Sequence, residues 1–227
     1  MPRTATIAAP APPAMTPIDI AFSPVVRATQ ARLGSRTMYE QVEARGGWPT
    51  TVTPELKGFL AEADSIYIAT ASAKGQPYIQ HRGGPKGFLR VIDEKTLGLA
   101  DFAGNRQYIT VGNLAENPQA MIFVMDHVHR RRVKIWGMAR VVEDDPAVVE
   151  RLFPAGYGAR PERAILFTVE LWNRNCPQHI PQMFPAEEVG TAIDGLEARI
   201  RTLQAENDDL RARLGAPAPE RVLAHAL

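Results

Sequence analysis

Only one cysteine, Cys176, stands among the 227 residues, so no disulfide can form within the chain. That usage fits a reducing compartment. No apolar run reaches the ~20 residues that a membrane-spanning helix needs. The opening stretch, MPRTATIAAPAPPAMTP, has prolines where an export signal needs an unbroken apolar helix. A cytoplasmic protein without a membrane partner is therefore expected. Neither sign of charge is in surplus: 26 Lys and Arg against 25 Asp and Glu leave a net +1. No overall field draws the chain to nucleic acid or anionic lipid. GxGxxG after a strand, a Walker loop, HExxH, CxxC and GxSxG are all missing. Their absence argues against a Rossmann dehydrogenase, a P-loop enzyme, a zinc protease and an α/β hydrolase.

What is present falls into five stretches. Residues 1–17, rich in Ala and Pro, read as a disordered tail. Residues 18–53 read as a helical extension, with Ser23 before Pro24 and Ser35 after Gly34 as helix caps and Gly46-Gly47 as a stop. Thr53-Pro54 opens another short helix. From 54 to 185, short alternating segments recur at turn spacing, the pattern of an antiparallel barrel or sandwich. They are SIYIATA, QPYIQHR, FLRVIDE, KTLGLAD, QAMIFVMD, RVKIWGMARVVED and RAILFTVELWN. Gly137 reads as a bulge. Between the fourth and fifth segments, RQYITVGNLAEN reads as a helix that starts at Arg106 and ends before Pro118. The expected class is mainly β with flanking helices, α+β.

Residues 186–215 change period. Ile193, Leu196, Ile200, Leu203, Asn207, Leu210 and Leu214 recur at three- and four-residue steps, an a/d heptad seam with Asn207 at an a position. Glu206 at g would face Arg211 at e of a parallel partner. A coiled-coil dimer and an amphipathic helix packed on its own domain both fit this pattern. Residues 216–227 read as a loose tail.

Three clusters could carry chemistry. Arg82, Lys86 and Arg106 stand at strand ends and turns, where converging cations suit a phosphate. Arg106 would occupy the first turn of its helix, where free N–H groups also favour an anion, with Asn105 as N-cap and Gly104 allowing a tight approach. Gly83-Gly84 would let a ligand come close to the backbone. The alternative is that these cations are solvated turn charges, which is how Lys86 reads by itself. HVHRRR at 127–132 reads as a charged hairpin tip, not a metal or RNA site. Arg132 or Lys134 on the strand that follows is the better ligand contact. WNRNCPQHIPQMF at 172–184 gathers Trp172, Asn175, Cys176, Gln178 and His179 in a Pro-broken loop. It reads as a ligand-facing loop or a structural one. Cys176 with His179 has the elements of an activated nucleophile but lacks a recognisable third partner.

In order, IATASAKGQPYIQHRGGPKGFLRVID, the strand–GNR–helix unit ending NLAENP, RRVKIWGMARVVE and WNRNCPQHI resemble the pyridoxamine 5'-phosphate oxidase-like, FMN-binding split-barrel family. The loop is similar to one in a bacterial subgroup. The resemblance runs from about Pro54 to Phe184. It implies a six-stranded antiparallel split barrel and a homodimer with FMN at the interface. It also implies phosphate binding by Arg82 and Arg106, with Gly83, Lys86 and Asn105 nearby. Gln107 stands where the oxidase often has Lys. Arg132 stands where the family places a polar residue near the flavin ring. The oxidase's own C-terminal substrate segment, with its Arg-Leu-x-Pro pattern, is not found. The implied function is an FMN-dependent oxidoreductase acting on another small molecule with an electron donor. Trp172, Asn175, Gln178 and His179 would line the substrate side, with His179 as proton donor. A non-catalytic flavin-binding or sensing protein, and a split barrel using F420 or haem, are the alternatives.

Overall fold

A computed structural model describes residues 16–215. The expected tails, 216–227 and all but the end of 1–17, lie outside the described residues. The chain divides into two compact units, Met1–Ile180 and Pro181–Leu227.

The first unit opens with a short 3-10 turn, Pro17–Ile20, and two helices, α1 (Pro24–Arg32) and α2 (Arg36–Ala44). Ser23 caps α1 as expected, its hydroxyl accepting the Val26 N–H at 3.3 Å. Ser35 occupies the cap position of α2 but makes no side-chain cap bond. Thr53 caps α3 (Pro54–Ala61) by accepting the Leu56 N–H at 3.3 Å.

Seven strands follow: β1 (Ser65–Ala71), β2 (Pro77–Gly83), β3 (Arg90–Val91), β4 (Thr96–Phe102), β5 (Gln119–Asp126), β6 (Arg131–Val142) and β7 (Pro161–Arg174). The segment FLRVIDE, read as a full strand, contributes only the two residues of β3. Among the described residues the sheet has seven strands, not the six that the resemblance implies. Helix α4 (Ile109–Glu116) lies between β4 and β5, and α5 (Pro146–Leu152) between β6 and β7. The sheet is antiparallel and open, in the order β2-β1-β5-β6-β7-β4-β3.

Period-two alternation sends Ile66 and Ile68 of β1, Ile122 and Val124 of β5, and Val133 and Ile135 of β6 to one buried face. Leu56 and Leu60 of α3 and Leu114 of α4 join the same core cluster. Burying each such side chain contributes about 1.5–3 kcal/mol. On the opposite face of β6, Trp136 stacks against Trp48 at 5.8 Å, and Trp48 meets Phe22 edge-on at 5.0 Å. The N-terminal extension is therefore tied to the sheet by aromatic contacts.

β7 carries two irregularities. Trp136 pairs with Leu171 but Gly137 with Val169, which leaves Glu170 as an extra residue. Asp101 pairs with Arg163 but Phe102 with Pro161, which leaves Glu162 extra. The bulge expected at Gly137 is present, and its extra residue sits on the partner strand. Such bulges re-aim side chains, and Glu162 is re-aimed into the site described below.

In the second unit, α6 spans Ala186–Leu214 as one uninterrupted helix. Gly215 ends it with φ 65°, a left-handed position that glycine adopts without strain. No helix among the described residues is long and apolar enough to cross a membrane.

Candidate functional site

β2 and β4 are separated by four strands in the sheet order, yet Arg82 Nη1 of β2 lies 2.7 Å from Asp101 Oδ1 of β4. The sheet must therefore curl until its two margins meet, and this ion pair crosses the slit between them. A cleft of about 300 Å³ opens there. Its walls are β2, β4, the loop 104–108 and the start of α4. It brings together Arg82, Gly83, Asn105, Arg106 and Gln107 of the expected site residues.

The local geometry differs from expectation at the loop. α4 begins at Ile109, three residues after Arg106, and its N-cap is Tyr108 at φ 52°, with no side-chain cap bond. Asn105 does not cap the helix. Its side-chain oxygen accepts the Gln107 N–H at 3.2 Å and so closes a turn ahead of it. Arg106 itself is left-handed, φ 59°. The left-handed positions of this loop are Arg106 and Tyr108, and Gly104 is not one of them. Each such residue costs on the order of 1–3 kcal/mol, and strained residues of this kind cluster at functional sites. The first N–H groups of α4 lack a side-chain acceptor, an arrangement that suits an anion. α4 is held against the sheet by Thr110 donating to Gln80 at 2.8 Å and by Asn113 donating to Thr70 at 3.0 Å.

Three groups in or beside the cleft, Asp101, Glu162 and Arg163, are not legible in the sequence. Asp101 is 6% exposed and Arg163 is 9% exposed. Arg163 Nε lies 4.0 Å from Asp101, Nη1 lies 3.3 Å from Glu143, and Nη2 lies 3.2 Å from Glu162. The Arg163 guanidinium also rests 5.0 Å from the Tyr108 ring centroid, a cation–π contact that holds the strained Tyr108. Burial pushes the Asp101 carboxyl above its ordinary range, against the opposing pull of Arg82 and Arg163. The Arg82–Asp101 contact is close but poorly aligned: neither Arg82 Nε nor Asp101 Oδ1 has a hydrogen-bond partner, and Arg163 Nε has none either. Buried donors without acceptors are costly. Of the two arginines only Arg82 lines the cleft, so its unpaired Nε is the donor that fits an anionic ligand.

The remaining expected residues do not line this cleft. Lys86 pairs with Glu62 at 3.2 Å on the surface. Gly84 has no side chain for a packing reason, since a Cβ there would come within 2.8 Å of the Phe88 Cβ. Trp172 is 3% exposed, belongs to the core, and donates its indole N–H to the Thr51 carbonyl at 2.8 Å. Its burial in the core does not fit the substrate-lining place expected of it. Arg132 accepts the Asn175 N–H on its backbone oxygen at 3.0 Å, while its side-chain Nε is buried without a partner. Cys176 is exposed and its sulfur accepts the Gln178 N–H at 3.5 Å. His179 adopts φ 62°.

The 127–130 segment forms the expected turn, tied by Asp126. Asp126 accepts from the His129 N–H at 2.9 Å and from Arg131 at 2.9 and 2.6 Å. Burial pushes this carboxyl up, but the His129 and Arg131 hydrogen bonds outweigh it and hold the group below its ordinary range. A depressed carboxylate stabilises the fold above its unfolded pKa and loses that contribution as pH falls through the folded value. Asp126→Asn is therefore expected to cost about 1–2 kcal/mol at neutral pH. The gap from the parent, read from urea midpoints, should close as pH falls below the ordinary carboxylate range and through the depressed folded value. A gap that is constant with pH would show that the charge is not what matters.

With this geometry in place, comparison with known proteins is decisive. A family model described as pyridoxamine 5'-phosphate oxidase matches residues 52–176. The chain belongs to this family. The open, curled antiparallel sheet is consistent with the split barrel of pyridoxamine 5'-phosphate oxidase-like proteins. Several solved structures are similar in fold. HupZ of Group A Streptococcus is 22% identical, with 58% of this chain and 98% of that chain covered and a TM-score of 0.44. A Clostridium acetobutylicum protein related to general stress protein 26, of the pyridoxinephosphate oxidase family, is 19% identical. It covers 60% of this chain and 94% of its own, with a TM-score of 0.42. HutZ, the haem storage protein of Vibrio cholerae, is 17% identical over 52% of this chain and 89% of that one, with a TM-score of 0.34. Comparison with curated proteins gives no match.

Proposed function

We propose that the protein is an FMN-dependent oxidoreductase, acting as a homodimer on a small-molecule substrate other than pyridoxamine 5'-phosphate. The observation that carries this reading is the convergence of Arg82 and Arg106 on one cleft, beside a buried Arg82 Nε that lacks an acceptor. The donor set fits a phosphate monoester: two guanidinium groups, the Asn105–Gln107 turn and the uncapped start of α4. The family typically binds a flavin, and FMN supplies hydride and electron transfer when bound.

Within this reading the chain's own residues bind and orient. Arg106 grips the phosphate from the loop. Arg82 holds it from β2, sharing its charge with Asp101. Arg132, on a different part of the sheet, would tune the flavin ring, and Asn175, Gln178 and His179 of the 172–184 loop would line the substrate side. The substrate differs from that of the oxidase because the segment that ends β7 and continues beyond it is WNRNCPQHIPQMF, without the oxidase's Arg-Leu-x-Pro pattern.

The first test is the absorbance spectrum of the purified protein, with mass spectrometry of the heat-released ligand. Flavin bands and an FMN mass are expected. A Soret band would move the case to haem, and the lack of any chromophore together with no uptake of added FMN would sink the proposal. Arg106→Ala then tests the phosphate assignment. Losing one charge-assisted contact of about 1.5–3 kcal/mol should weaken FMN binding roughly 10- to 100-fold. Riboflavin binding, which needs no phosphate grip, should change little, so titration with both ligands reads the phosphate contact alone. Turnover with a chemical reductant separates an enzyme from a flavin store.

A further inference from the structure

α6 is a 29-residue helix in which no residue is buried. Its length, at 1.5 Å per residue, is about 44 Å. Val189, Ile193, Leu196, Ile200, Leu203, Leu210 and Leu214 lie along it between 42% and 80% exposed. Gly190 and Gly195 lower its intrinsic propensity by about 1 kcal/mol each. A helix with that handicap and a continuous apolar stripe gains its stability by burying the stripe.

We infer that α6 pairs with α6 of a second copy as a parallel, two-stranded coiled coil. Four observations select this occupant and this orientation. The exposed stripe extends the seam to Val189, so d positions run Val189, Leu196, Leu203 and Leu210, and a positions run Ile193, Ile200, Asn207 and Leu214. Isoleucine at a with leucine at d is the combination that favours two parallel strands. Asn207 is the one polar group in the seam. In parallel register it meets its own copy, and the two amides satisfy each other. In antiparallel register it would face an apolar d residue and be left unsatisfied, at a cost of about 1–3 kcal/mol.

The flanks are also self-complementary. Glu206 at g faces Arg211 at e of the copy, twice by symmetry, and Arg199 at g faces the neutral Gln204. No like charges oppose each other at these positions. The intrahelical pairs Arg201–Glu197 at 3.6 Å and Arg213–Asp209 at 3.7 Å support the helix surface without using Glu206. In the single chain Arg211 Nε donates to the Asn207 side-chain oxygen at 2.5 Å. In the pair, Arg211 turns to Glu206 across the interface and releases the amide to its twin.

The proposal does not depend on the cofactor assignment. Because the proposed function already makes the protein a homodimer, molecular mass alone does not test it, and the readout must lie on α6. In the full chain with Cys176→Ser, Leu210→Cys places a thiol at a d position, beside its own copy only in a parallel pair. Mild oxidation should give disulfide-linked dimer at least tenfold faster than Ala205→Cys, whose thiol lies on the outer f face. Glu206→Lys should slow the Leu210→Cys cross-link by setting two cations against each other, and adding Arg211→Glu should restore it. Equal rates at the two cysteine positions, or no response to the charge exchange, would overturn the proposal.

Discussion

Arg82→Ala is expected to lower the unfolding free energy by about 3 kcal/mol at neutral pH, since removing one partner strands a buried charge. The midpoint of thermal unfolding should fall by roughly 6–12 °C for a chain of this size. Asp101, already held above its ordinary pKa by burial, would keep only Arg163, whose Nε is 4.0 Å away. The sign of the pH dependence follows. A carboxyl whose folded pKa exceeds its unfolded value stabilises the fold below the unfolded pKa, and that benefit is lost as pH rises through the folded value. The deficit of Arg82→Ala should therefore shrink as pH falls through the raised folded value, where Asp101 takes up a proton. Adding Asp101→Asn should recover at least half of the loss at pH 7. Chemical denaturation of the parent and both variants between pH 4 and 8 measures this. If Arg82→Ala matches the parent at pH 7, the ion pair does not hold the slit. The same experiment qualifies any reading of ligand loss in Arg82 variants, and it makes Arg106→Ala the cleaner probe of phosphate binding.

Gly137→Ala should be at least as damaging. A Cβ on Gly137 would come 1.9 Å from the Thr168 carbonyl oxygen and 2.8 Å from the Phe167 ring. The first obstacle is backbone, which no rotamer change can clear. β6 would have to move away from β7 at the register shift between Trp136 and Gly137, the point where Glu170 is already extra. Overpacking in a core costs 1–3 kcal/mol when side chains can adjust, and here about 3 kcal/mol or more is expected. Soluble yield and urea midpoint are the measures. A variant within 0.5 kcal/mol of the parent would mean that the strand pair at the bulge is looser than the close contact implies. Gly98, whose Cβ would meet only the flexible ends of Ile92 and Leu152, provides a milder comparison.

The parts of the fold that could be read from the sequence are those set by neighbours along the chain. Ser23 and Thr53 cap their helices because a hydroxyl before proline needs nothing distant. The alternation in SIYIATA and QAMIFVMD gives the buried faces directly. The limits appear where distant residues decide. RQYITVGNLAEN has a helical pattern from Arg106, yet the helix waits until Ile109. Asn105 spends its oxygen on Gln107, and Tyr108 sits under Arg163, a residue 55 positions on along the chain. The partnership of Arg82 with Asp101 was equally out of reach, since it joins strands that are not neighbours in the sheet. Arg82 and Arg106 do line one cleft, but only Arg82 stands at an element end, while Arg106 lies in the loop ahead of α4. Trp172 was misplaced because its loop reads as polar while its own position continues the buried face of β7. Its indole N–H is satisfied by Thr51, which lies far earlier in the chain.

The slit has a wider consequence. Its two margins, β2 and β4, share no ladder of backbone hydrogen bonds and are coupled through side chains. A binding groove built between covalently continuous but unladdered edges can change width by replacing one or two residues, while every strand keeps its register. A change at these margins can thus alter what fits between them while the fold stays intact.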